Sequence, residues 1–174
     1  MYTMKQKGLV YTALAAAALV ACSQPGAPSK SGVRPDAATA VAAIRDAGAK
    51  FETSVEVHPL RDPAIDGLLQ QAHGYEAQQQ VGRALQAVGG ALKIAPNAPD
   101  LLQYQAELLI ESGDWKQAAS VAQKSLEVGP KTGALCARNV QTLIETRRVL
   151  RDDAALAQAR QQMASCKVPA PPRY

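Results

Sequence analysis

Apolar positions along this chain fall into helix-length blocks separated by turn residues, with little strand-like alternation. Leu9 to Val20 is a continuous run dominated by Ala, Leu and Val. Ser23 to Pro35 (SQPGAPSKSGVRP) is nearly devoid of apolar side chains. Such a segment cannot bury enough surface to offset its ordering entropy, so it reads as a flexible tether. From Asp36 to Phe51, Ala37, Val41, Ile44 and Phe51 form a loosely periodic face behind an aspartate able to cap the first turn, which predicts a helix. Glu52 to Leu60 comes close to alternation at Val55, Val57 and Leu60, but a lone strand makes no sheet, and the segment reads as irregular. Asp62-Pro63 then starts a long helical region, with an N-cap acceptor followed by proline where its missing N–H costs nothing.

Within that region the pattern repeats. Ala95-Pro96 and Gly129-Pro130 each close an apolar-periodic stretch, and the two prolines are 34 residues apart. The residues before them correspond, Ala91-Leu92-Lys93-Ile94 against Ser125-Leu126-Glu127-Val128. A fixed period of this length built from two helices signals a helical solenoid. The clearest unit, Pro99 to Thr132, resembles the tetratricopeptide repeat family: Leu102, Ala106 and Leu109 on a first helix, the turn Gly113-Asp114-Trp115, Ala118 on a second helix and Pro130 at the close. Gln105, Ala122 and Ser125 depart from the family pattern. The preceding unit, Ile65 to Ala98, keeps Leu68, Ala72, Tyr75, Ala84, Val88, Ala91 and Pro96, but its turn Gln79-Gln80-Val81-Gly82 lacks the Gly-Asp pair. A third unit, Gly133 to about Cys166, is degenerate and fits only if its turn near Arg151-Asp152 is two or three residues longer. The expected fold class is all-α, a short right-handed solenoid of about three antiparallel helix pairs preceded by an N-terminal helix.

The resemblance implies a concave groove lined by the first helix of each pair. Carried over residue by residue, the first contributes Asp66, Leu69, His73 and Glu76, and the second Asp100, Gln103, Glu107, Ile110 and Glu111. The third contributes Gln141, Ile144 and Glu145. Every charged member is acidic, so the groove is expected to prefer a basic or mixed peptide or helix, with Leu69, Ile110 and Ile144 as apolar contacts. The groove lacks the Lys/Asn pattern of repeats that clamp a C-terminal carboxylate, since Gln103 and Glu107 stand where such groups would be needed.

The N-terminus changes the picture of location. Lys5 and Lys7 precede the apolar run, and Leu19-Val20-Ala21-Cys22 ends it. This layout resembles a bacterial lipoprotein signal peptide, which implies cleavage before Cys22 and lipid on its sulfur and new amino group. Twelve apolar residues span about 18 Å as a helix, short of a hydrocarbon core of about 30 Å. The expected organisation is a signal peptide over 1–21, a tether over 22–35, an N-terminal helix and irregular segment over 36–61, a repeat domain over 62–167 and a proline-rich tail over 168–174. Ser23 after the cysteine looks like the outer-membrane sorting pattern, facing the periplasm of a Gram-negative cell. Otherwise the outer face of the cell membrane is expected.

Charge and cysteines follow from that cut. The formal net charge of +4 includes Lys5 and Lys7, so the mature chain is nearly balanced and shows no basic cluster interleaved with aromatics. With Cys22 lipidated, Cys136 and Cys166 remain as an even pair in an oxidising compartment. In a third antiparallel pair they lie near the start of one helix and the end of its partner, within reach of a disulfide. His58 and His73 have no companion at metal-ligand spacing, and no nucleophile elbow, phosphate loop or dinucleotide fingerprint appears. No catalysis, cofactor, metal or nucleic-acid partner is expected. The expected function is a membrane-anchored periplasmic adaptor that binds a protein or peptide in assembly of an envelope complex. An activator of a cell-wall enzyme and a self-associating structural subunit are the alternatives.

Overall fold

The structure, a computed structural model, describes residues 36–51 and 61–168. The signal peptide, Cys22, the tether, the segment 52–60 and all but Val168 of the tail lie outside the described residues. Within them the fold is all-α and repeat-like. It comprises α1 (Ala37–Ala49), α2 (Pro63–Ala77), α3 (Val81–Ile94), α4 (Pro99–Glu111), α5 (Trp115–Val128), α6 (Gly133–Leu150) and α7 (Asp153–Gln162), then a 3-10 turn, Met163–Cys166.

Local chemistry accounts for the helix starts. Asp36, Asp62, Asp114 and Asp152 each accept a hydrogen bond from a first-turn backbone N–H, those of Thr39, Ala64, Gln117 and Ala155 respectively. Proline opens both α2 and α4. The turns inside the three pairs α2–α3, α4–α5 and α6–α7 are built alike. In each, one residue takes left-handed φ: Gln79 at 58°, Gly113 at 86° and Arg151 at 58°. The next residue's N–H then reaches back five positions, from Gln80 to Tyr75, from Asp114 to Leu109 and from Asp152 to Arg147. This is the Schellman arrangement, which satisfies carbonyls at the end of a helix. Gln79 therefore does without glycine what Gly113 does with it.

Gln79 and Gly113 are 34 residues apart, Gly113 and Arg151 38. The surplus lies in α6, which runs 18 residues against 13 in α4. The longer third unit expected from sequence thus arises from a longer first helix, while the turn keeps its form.

Small residues let the pairs approach. Ala72, Ala84, Ala91, Ala106, Ala118, Ala122 and Ala137 are buried along the helix contacts. Gly129 closes α5 tightly on the start of α4: an added Cβ would meet Pro99 Cβ at 2.9 Å, and Ser125 Oγ donates to the Pro99 carbonyl at 2.6 Å. Of the adjacent glycines Gly89 and Gly90, both read as candidates for close helix approach, only Gly90 faces a neighbour, Leu68 at 3.4 Å. Cys136 Sγ is bonded to Cys166 Sγ, tying the start of α6 to the turn after α7. Helix α1 stands outside the chain of neighbours: it packs on α6 and α4, across the first helices. Burying Ile44 completely there contributes about 1.5–3 kcal/mol.

Candidate functional site

Where the repeat pattern implies a groove along the first helices, α1 lies against α4 and α6. Ala40, Val41 and Ile44 of α1 share a buried cluster with Leu109 and Ile110 of α4 and Ala118 of α5. Phe51, just past α1, packs against the cluster formed by α5, α6 and α7. Gly48 allows the closest approach. A Cβ there would sit 2.7 Å from Arg138 Cγ and 3.5 Å from the Ala134 carbonyl oxygen of α6.

Glu107 is the centre of the polar part. Its side chain is fully buried, yet each oxygen is charge-paired. Oε2 accepts from Arg45 Nε of α1 at 2.9 Å. Oε1 accepts from Arg138 of α6 through Nε at 3.0 Å and a terminal nitrogen at 2.6 Å, and from Gln103 Nε2 at 2.9 Å. Gln103 also donates to Thr142 Oγ1 at 2.8 Å. A buried carboxylate is tolerable only with such partners. Arg45 spans further: its other end donates to Glu76 Oε1 of α2 at 2.6 Å, while Tyr104 Oη donates to Glu76 Oε2 at 2.7 Å. One arginine of α1 therefore joins α2 to α4.

Electrostatics follow this wiring. Burial by itself would raise the Glu76 carboxyl, but the Tyr104 hydroxyl and Arg45 outweigh it and hold the group below its ordinary value. Burial and the paired Glu76 carboxylate push the Tyr104 hydroxyl up, so it remains a donor. Glu111 has the opposite fate to Glu76: burial, then the charge of Glu76, raise its carboxyl. His73 stacks on Tyr104 with ring centroids 4.7 Å apart and has Nδ1 3.8 Å from Glu76. An open cleft of about 600 Å³ beside α1 is lined by His73, Glu76, Gln79 and Glu111, with Arg45 on its wall.

The twelve residues inferred to line the groove thus separate. His73, Glu76, Gln103, Glu107 and Glu111 converge around Arg45 or the cleft beside it. Asp66 is exposed, and Asp100 is ion-paired with Arg61. Leu69 is half-buried among α2, α3 and α4. The expectation of an accessible surface is corrected at five positions. Gln103 and Glu107 are sealed inside the network, and Ile110 is covered by α1. Ile144 is turned into the core shared with α5 and α7, because the long α6 buries most of its middle. Glu145 is buried and held within α6 by Gln141 at 2.7 Å and Arg148 at 2.6 Å.

Sequence reasoning did not place Arg45, Gly48 or Arg138 in the site. The available signal was the charge surplus itself: an all-acidic groove beside an alanine-rich helix with an arginine at its centre.

No family model matches the chain. It is 37% identical over 86 residues to cellulose synthase 1 operon protein C of Komagataeibacter xylinus. It is 35% identical over 86 residues to cellulose synthase operon protein C of Komagataeibacter sucrofermentans. These stretches cover 49% of this chain but 6% of each relative, so the chain spans a small fraction of the length of the proteins it matches. Among solved structures it is similar to the globular C-terminal domain of P. aeruginosa LpoP, with 27% identity and a TM-score of 0.55 over 60% of this chain and 99% of that domain.

Proposed function

We propose that this protein is a lipid-anchored envelope adaptor of the tetratricopeptide type, cut before Cys22, acylated there, and holding its helical repeats out on the tether 22–35. It binds a protein or peptide partner through the face formed by its first helices and carries out no catalysis itself. The observation that supports this reading most is the organisation of that face. Carboxylates from α2 and α4 are arranged to receive the arginine of an apposed helix, as they receive Arg45. Such a surface recognises a basic amphipathic helix through charge and small apolar contacts together.

The likeness to the LpoP domain supports a compact repeat module as a binding unit. The relatives named for cellulose synthase operons favour a partner in the making of an envelope polysaccharide. That partner class also accommodates the second reading, in which binding activates a cell-wall enzyme.

Two measurements in intact cells test the proposal. A clickable palmitate analogue is expected to label the wild-type chain and not Cys22→Ser. A photo-crosslinking residue at position 111, at the mouth of the cleft, is expected to give a discrete adduct with an envelope protein, whereas position 123 on the exposed side of α5 gives none. Absence of lipid label removes the anchor from the account. Equal crosslinking at 111 and 123 removes the adaptor.

A further inference from the structure

The position of α1 carries one step more. The remaining helices pack on their sequence neighbours, α2 with α3, α3 with α4 and so on to α7, supplemented by contact between the successive first helices α4 and α6. In a solenoid those neighbour interfaces hold the stack. Helix α1 instead skips α2 and α3 in sequence to lie on α4 and α6, so its departure leaves every neighbour interface intact.

The polar network tolerates the same departure. Without Arg45, Glu107 keeps both bonds from Arg138 and the one from Gln103, so the buried carboxylate is not stranded. Glu76 keeps Tyr104. The helix itself is 13 residues long, a length marginal for isolated helices in water. Its order depends on the groove. Its docking face is also generic, consisting of Ala40, Val41, Ile44, Ala47 and Gly48 with one arginine beside it.

We infer that α1 is a displaceable occupant of the groove, standing in for a partner helix of the same chemistry: a small apolar stripe and one arginine placed to bridge Glu76 and Glu107. The identity of this surface as the partner's site rests on the adaptor reading; the displacement of α1 does not.

The test uses the mature chain from residue 22 and, as probe, a fluorescein-labelled peptide with the sequence of residues 36–51. Two variants loosen α1 by different routes. Arg45→Glu opposes Glu76 and Glu107, and Gly48→Val drives a side chain into Arg138. Both are expected to keep the far-ultraviolet helicity of the repeats. Both should shift the emission of Trp115, the single tryptophan, which packs against the α1–α4 cluster. They should bind the peptide at least about 10-fold more tightly than the wild type, whose groove is already filled. A peptide carrying Arg45→Glu should bind the same variants at least about 10-fold more weakly, through loss of the charge pairs.

Loss of repeat helicity in both variants overturns the inference. So does a folded variant that takes up no more peptide than the wild type. If only one variant folds, its peptide binding decides. Peptide capture without any envelope crosslink at position 111 would leave the displacement standing and remove the adaptor.

Discussion

At Glu107 a carboxylate with no solvent access is held by Arg138 from α6 and Arg45 from α1, and Arg45 extends the link to Glu76 on α2. Two glutamates at the edge of this network give opposite pH responses. The Glu76 carboxyl is held low in the folded state, so its contribution is present above the ordinary glutamate value and disappears as pH falls through the lower native one. Glu111 is raised, so its contribution is present below the ordinary value and disappears as pH rises through the native one. Glu76→Gln is therefore expected to lower the melting temperature at pH 7, by roughly 5 °C. Glu111→Gln is expected to raise it. The Glu111 difference should shrink first, as pH falls from the raised native value toward the ordinary glutamate value, and the Glu76 difference only below that ordinary value, as pH falls toward the lowered native one. Thermal melts of the three chains at pH 7 and pH 3.5 check this, and equal signs at pH 7 would contradict it. None of this coupling was legible in the sequence. The acidic character of the groove was, but the basic partners come from Arg45, a helix away, and Arg138, on the third unit.

At the scale of the element, glycines separate packing from propensity. Gly74 in α2 and Gly89 in α3 have no atom within 4 Å of an added Cβ, whereas Gly48 in α1 would press on Arg138 at 2.7 Å. Alanine at 74 or 89 should stabilise the chain by about 0.5–1 kcal/mol through helix propensity alone. Alanine at 48 makes the same gain but incurs overpacking of about 1–3 kcal/mol, for a net loss of about 1 kcal/mol. Urea denaturation of the three variants distinguishes the sites. The helix starts were readable, since Asp36, Asp62-Pro63 and Asp114 announce them by side-chain chemistry. The 34-residue period was readable for the same reason, through Pro96 and Pro130. The Gln79 turn was harder to read because its left-handed residue is not glycine, and the extra length of α6 looked in sequence like a longer turn.

For the whole molecule, the Cys136–Cys166 bond closes a 30-residue span over the unit with the poorest repeat pattern. In the chain-entropy model that closure is worth about 3–4 kcal/mol. Reduction is expected to lower the denaturation midpoint accordingly, and Cys136→Ser with Cys166→Ser to match the reduced wild type. A midpoint unmoved by reductant would contradict this. The stack of pairs was foreseeable from periodicity, because each unit packs on the next. The seat of α1 was not, because a contact between residues 40–48 and residues 107–138 leaves no periodic trace. That α1 can leave this seat without the repeats unfolding is the central claim, and native-state hydrogen exchange of the mature chain tests it most directly. The amides of 37–49 are expected to exchange through a partial opening, at least about 100-fold faster than those of 99–111 and 133–150. They should slow when the peptide of residues 36–51 is absent and quicken when it competes. Exchange of all three helices at one common rate, indifferent to the peptide, would contradict it.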